Sequence, residues 1–183
     1  MSEQTNISDF HLRYPIGPTP TGDIEGFYKI PSWIDSINTF PDKIVHFLDA
    51  NPAEVETCTY RAGSWTVRQV IHHCADSHIN AMCRLKLGLT ENMPIVKPYA
   101  EEKWAELSDS LDCPLSDSIL ILTGLHHRWV QLLESMSESD FKREIFHPGS
   151  KEIMTLAQLT RLYAWHCDHH FGHLLLAAKN LPQ

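Results

Sequence analysis

Apolar residues recur at three-and-four spacing in four stretches of this chain, and that spacing predicts four helices. In the first stretch Trp33/Ile34, Ile37, Phe40, Ile44/Val45 and Leu48 share one face over residues 30–50. The phase survives Pro41, so the pattern predicts one helix kinked at the proline rather than ended by it. The second opens at Thr66-Val67-Arg68-Gln69, the T-x-x-Q form of a capping box. Its stripe of Val67, Val70/Ile71, Cys74 and Leu85 runs to residue 90. The third covers 116–136, with Ile119, Leu122, Leu125, Trp129, Leu132/Leu133 and Met136 on its core face. The fourth follows a second T-x-x-Q box, Thr155-Leu156-Ala157-Gln158, and runs to residue 180.

The segments between are of three kinds. Residues 1–27 carry Pro15, Gly17, Pro18, Pro20, Gly22 and Gly26 and read as an N-terminal arm. Residues 91–114, with Pro94, Pro98 and Pro114, form a long crossover with a short helix around Glu101 to Leu107. A loop of that length in a compact domain is usually functional or packed as a lid. Lys142 to Met154 reads as a small β-hairpin turning at His147-Pro148-Gly149-Ser150. The expected fold is therefore all-α: a four-helix bundle in one domain over 1–183, with one long crossover and a hairpin before the last helix.

Composition narrows the partners. Apolar residues are 43% and charged residues 21% of 183, as in an ordinary globular protein. The formal charge of −8 disfavours nucleic acid or an anionic membrane, since both select a basic face. No apolar run approaches the ~20 residues that span a bilayer, and the first residues lack the basic and apolar regions of a signal peptide. Five cysteines without a CxxC pair speak against a disulfide framework and for a reducing cytoplasm.

The anomaly lies in the histidines. On the fourth helix the inner stripe reads Leu159, Tyr163, His166, His170, His173 and Ala177, so imidazoles stand where apolar side chains belong. His166 and His170 are four apart, on one helix face, where both can hold one ion. A single histidine from another helix would complete a three-nitrogen site with an open position, the arrangement of a catalytic metal. The second helix offers His72, His73 and His78. His73 lies nearest the inner stripe and is preferred, with His78 next. His169 is expected to point outward, and His173 could be a ligand, a substrate contact or a partner of the ligands. Core histidines bonded one by one would be the bland alternative, but each would need its own partner, whereas one cation satisfies several. Cys74 and Cys167 adjoin these histidines yet point about 100° away around their helices, as small core filler. The glutamate of H-E-x-x-H is absent from His166-Cys167-Asp168-His169-His170.

Several further stretches, taken with these, carry a resemblance. They are Leu12-Arg13-Tyr14-Pro15-Ile16-Gly17, Trp65-Thr66-Val67-Arg68-Gln69-Val70-Ile71-His72-His73 with Ala75-Asp76-Ser77-His78, Lys97-Pro98-Tyr99 with Glu102-Lys103-Trp104, Phe146-His147-Pro148, and Trp165-His166 with His169-His170. Nearly the whole chain resembles the DinB/YfiT-like superfamily of bacterial metalloproteins. Its nearest branch is that of the YfiT-like metal-dependent hydrolases, also described as bacillithiol S-transferases. The resemblance implies a four-helix bundle with one divalent metal held by His73, His166 and His170. It also implies a homodimer. Zinc is expected first, nickel next, with manganese a further option, since three neutral imidazoles suit zinc or nickel.

Two chemistries follow from such a centre: delivery of hydroxide to an ester or amide, or activation of a low-molecular-weight thiol against an electrophile. The resemblance favours thiol transfer to a small-molecule electrophile in detoxification, with metal-dependent hydrolysis the alternative. A non-enzymatic metal-binding stress protein is a third reading, and it predicts a closed site with no cleft beside it. Asp76 and His173 are the weak catalytic candidates. Arg68, Tyr99 and Trp104 are candidates for substrate binding, Tyr99 and Trp104 as part of a lid with Lys97. Trp65 and Trp165 are expected as core anchors, His126 as a group standing behind a ligand, and His147 as part of the hairpin turn.

Overall fold

The computed structural model describes residues 9–181. Its four long helices are Ile30–Asp49 (α1), Val67–Thr90 (α2), Leu115–Glu134 (α3) and Leu156–Ala178 (α4). Each agrees with the spacing of its apolar residues to within about two residues, the usual uncertainty of a helix end. Both T-x-x-Q sequences fold as capping boxes. The Thr66 hydroxyl accepts from the Gln69 backbone N–H at 3.2 Å while the Gln69 side chain accepts from the Thr66 N–H at 3.0 Å. Thr155 and Gln158 repeat the exchange at the start of α4. Two otherwise orphaned donors are satisfied at each start, which sets where the helix begins.

The chain continues helically through Pro41 in α1. Proline has no N–H, so the carbonyl four residues earlier, that of Ile37, lacks its helical donor. Ile37 is fully buried, so water does not replace that donor.

The hairpin consists of strands Glu144–His147 (β1) and Glu152–Thr155 (β2), antiparallel with Glu144 opposite Thr155. The crossover holds two one-turn helices, Glu101–Trp104 and Ser108–Asp112, the second of which the sequence pattern does not announce. It returns to the hairpin through a parallel bridge between Ile95 and Phe146. The N-terminal arm, as far as it lies within the described residues, is not free. It is helical over 9–13 and packs on α4, where Gln158 and Arg161 donate to the Gly22 carbonyl and Arg161 also donates to that of Asp23.

The packing is not that of consecutive neighbours. Helix α1 packs on α3 and α4, and α2 also packs on α3 and α4. The pairs α1/α2 and α3/α4 therefore lie across the diagonals, and only α2 and α3 are neighbours in both sequence and space. In an up-down-up-down bundle every consecutive pair would touch. The core contains Ile37, Phe40, Ile44, Ile71, Leu85, Leu122, Trp129 and Leu133, all nearly inaccessible. Seven histidines share that interior. Buried imidazoles need partners, and the partners they find define the site. No described helix is long and apolar enough to cross a membrane.

Candidate metal centre

Adjacency of α2 and α4 brings His73 to the His166/His170 pair. Ligand nitrogens of His73, His166 and His170 all lie within 4.8 Å of one another. The Nε2 atoms of His73 and His166 face each other at 3.2 Å. Tetrahedral zinc with ~2.05 Å bonds to nitrogen separates its ligand atoms by about 3.3 Å, so this pair is already at ligand spacing. Burial, then the neighbouring His173, holds His73 down at about 4. Burial and the surrounding imidazoles also lower His166 and His170 well below the ordinary histidine value. All three rings are thus neutral near pH 7, the state in which imidazole donates to a metal. The donor set fits a divalent ion.

A second convergent group, His169, His170 and His173, shares His170. It comes from one helix only, and His173 is occupied elsewhere. Its Nε2 donates to the Arg13 carbonyl at 3.1 Å, and its Nδ1 lies 3.4 Å from Nδ1 of His170. Tyr60 stacks on the His173 ring at 3.9 Å. These contacts make His173 a support for His170 and leave the His73–His166–His170 group as the candidate metal centre.

The centre lies in the wall of an open cavity of about 1110 Å³. His73, His166, His169, His170 and His173 all line it. Two expectations from the sequence fail here. His169 turns inward, not outward, because Trp165 stacks on its ring at 4.2 Å and the arm covers it through Tyr14 at 6.0 Å. Its Nδ1 is buried without a partner among the described residues. Trp165 is a cavity wall rather than a core anchor, whereas Trp65 both packs against the core and lines the cavity, 4.8 Å from the His73 ring.

Arg68, Asp76, Tyr99 and Trp104 fall outside the cavity lining. Arg68 borders a separate, smaller cavity, where its guanidinium is held by Glu56 and by the Cys113 carbonyl. Asp76 is half-buried, and burial followed by the charge of Asp109 raises its carboxyl to about 6. Tyr99 and Trp104 pack against each other at 4.4 Å, and neither lines the cavity. The crossover reaches the cavity through Glu101, Glu102 and Glu106. Burial raises the Glu101 carboxyl, opposed by Arg84. His72 faces away from His73, bonded through Nδ1 to the Ser118 hydroxyl at 2.7 Å. Cys74 and Cys167 are core filler, and burial pushes both thiols up. His147 serves the turn, accepting from the Ser150 N–H at 3.3 Å, and also touches the cavity.

Periodicity did not signal Arg13, Arg61, Arg84 and Arg161, which line the cavity from four separate elements. Nor did it show that His78 bridges the centre to the core. His78 Nε2 meets His166 Nδ1 at 3.0 Å, and His78 Nδ1 meets His126 Nε2 at 2.8 Å. His78 therefore stands behind His166, the place expected of His126, which lies one ring further back; His78 is not itself one of the convergent nitrogens.

Known proteins are similar to this chain along most of its length. Residues 37–174 match the family model described as the DinB superfamily. The chain is 39% identical over 175 residues to the "Putative metal-dependent hydrolase YfiT" of Bacillus subtilis (strain 168), covering 96% of this chain and 98% of that one. A "putative metal-dependent hydrolase" of Bacillus mycoides (strain KBAB4) is 46% identical over 172 residues, covering 93% and 97%. The solved structure of B. subtilis YfiT superposes with a TM-score of 0.88 over 93% of this chain and 97% of that chain. It is described as a probable metal-dependent hydrolase with an unusual four-helix bundle topology. With a family model spanning most of the chain and relatives matched nearly end to end, this protein belongs to the DinB superfamily.

Proposed function

We propose that this protein is a metal-dependent S-transferase that joins a low-molecular-weight thiol of the bacillithiol type to a small electrophile. The observation that carries the reading is the convergence of three neutral imidazoles from two helices in the wall of an open cavity. A divalent ion held by His73, His166 and His170, zinc first by ligand type, supplies acidification of a thiol or water at its open position. Three imidazoles contribute no negative charge, so the position they leave open favours an anion.

The chain's own residues do the rest. Trp65 and Trp165 give the cavity apolar walls beside the histidines. Four arginines and four glutamates line it further out, which suits a polar, ionised small molecule. No carboxylate joins the convergent nitrogens among the described residues. Thiol transfer needs no strong protein base, because a thiol acidified at the open position is already the nucleophile. Hydrolysis is the second reading. It is favoured by the names of the relatives and by Glu101, a cavity carboxyl that burial raises and Arg84 opposes. An open cavity beside the centre counts against a purely structural metal, which would be enclosed.

The test is thiol consumption by zinc-loaded and chelated protein, with bacillithiol, cysteine, coenzyme A and glutathione offered in turn alongside a bimane electrophile. Zinc-dependent conjugation with one thiol is the expected result and identifies the cosubstrate. No turnover with any thiol despite stoichiometric zinc moves hydrolysis to first place. His166→Ala and His170→Ala should each lose zinc with helix content intact; full occupancy in either would mean the ligands are elsewhere.

A further inference from the structure

We propose that the Ile37 carbonyl, freed by Pro41, sets the proton positions along a buried histidine chain and so holds His166 with its Nε2 lone pair facing the metal position. This inference rests on the metal-centre reading above.

The argument begins at the break in α1. The Ile37 carbonyl has no helical donor because residue 41 is proline, and Nδ1 of His126 meets it at 2.6 Å. A carbonyl only accepts, so the proton sits on His126 Nδ1. In a neutral imidazole the other nitrogen is then an acceptor, and His126 Nε2 takes a proton from His78 Nδ1 at 2.8 Å. By the same rule His78 Nε2 accepts from His166 Nδ1 at 3.0 Å. His166 is left with its lone pair on Nε2, the atom 3.2 Å from Nε2 of His73. Three successive hydrogen bonds allow only this order once the carbonyl is fixed. The reversed order would place a lone pair against a carbonyl.

The surroundings exclude other partners. His78 and His126 are essentially inaccessible. Phe40 packs on both rings, at 5.4 and 5.8 Å, and Trp129 closes the other side at 5.8 and 5.7 Å. Each nitrogen of His78 and His126 meets one partner, and a second proton on His126 would face the proton of His78. One proton per ring is therefore the resting state. A shorter branch has the same logic: the Arg13 carbonyl, at the end of the helical stretch 9–13, accepts from His173 Nε2, leaving His173 Nδ1 to face His170 Nδ1. His78 and His126 are thus positioning residues: they orient a ligand without reaching the open position. An outer partner of a metal-bound histidine typically contributes about ten- to a hundredfold in affinity.

The experiment pairs zinc competition against a fluorescent chelator with imidazole ¹⁵N spectra of the full chain, with and without zinc. Wild type should show protons on Nδ1 of His126, His78 and His166 in both states. His126→Leu should weaken zinc binding about ten- to a hundredfold, and His126→Gln, which keeps a donor and an acceptor, should recover most of it. A purely packing role would not distinguish leucine from glutamine in that direction. Equal zinc affinity in all three folded proteins, or a proton on Nε2 of His126, His78 or His166 in wild type, overturns the proposal. If His126→Leu fails to fold, the wild-type spectra still decide. Failure of wild type to bind zinc at all would instead overturn the metal-centre reading, and the metal-free spectra would still test the proton order.

Discussion

Replacing Gly172 by alanine should loosen the N-terminal arm and, through it, the metal centre. Gly172 sits on α4 between the histidines, and an added Cβ would lie 2.7 Å from Cγ and 2.9 Å from Cβ of Pro15. Carbon atoms settle at about 3.5–4.0 Å, so the arm must retreat by about 1 Å. A proline ring cannot rotate away. The hydrogen bond from His173 to the Arg13 carbonyl is 3.1 Å long, and a retreat of that size takes it out of range. Overpacking costs about 1–3 kcal/mol, while alanine in place of glycine within a helix returns about 1 kcal/mol. The net loss is then no more than about 2 kcal/mol, a fall in Tm of up to about 8 °C. Hydrogen exchange should accelerate at residues 10–17 with little change in α1 to α3, and zinc affinity should drop through the loss of support for His173 and His170. Unaltered exchange in the arm together with unaltered zinc affinity would refute the reasoning.

Zinc at about a hundred times its Kd should stabilise the fold by about 2.7 kcal/mol, which raises Tm by about 5–11 °C; a thermal scan with and without chelator measures it, and an unchanged Tm would count against the centre. Metal-free protein should lose stability in acid. Burial depresses the folded pKa of His73, His126 and His173 to about 4, below the 6.5 of an ordinary histidine, so protonation favours the unfolded chain. That stability is complete above pH 6.5 and is lost as pH falls toward 4, and urea midpoints at several pH values across this window should follow it. Thr66→Ala removes one capping box and should cost about 1 kcal/mol, a Tm change of about 2–4 °C, with zinc stoichiometry retained. A variant that bound no zinc would mean that the start of α2 also positions His73.

What the sequence determined by itself was the set of helices and half of the centre. Spacing of apolar residues and two T-x-x-Q boxes are local properties, and they specified where α2 and α4 begin and which faces turn inward. His166 and His170 share a face by helical geometry alone. The choice of His73 over His78 was weaker. The two rings lie about 140° apart around α2, one meeting Nε2 of His166 and the other its Nδ1, and a sequence stripe does not say which side of His166 each would meet.

Only the tertiary structure decided the rest, because it depends on which helices touch. The diagonal placement of α1 against α2 puts α2 beside α4, bringing His73 to the pair, and it puts α1 beside α3, bringing His126 to the Ile37 carbonyl. Proline inside α1 reads in sequence as a kink, whereas in the folded protein it leaves a buried acceptor that a histidine 89 positions away satisfies. Arg68 and Trp104 illustrate the converse. Both are plausible from composition, and neither reaches the cavity, because ion pairing with Glu56 holds one and packing on Tyr99 holds the other. Long-range contacts such as these are selected by the packing of whole helices, which local spacing constrains but does not dictate.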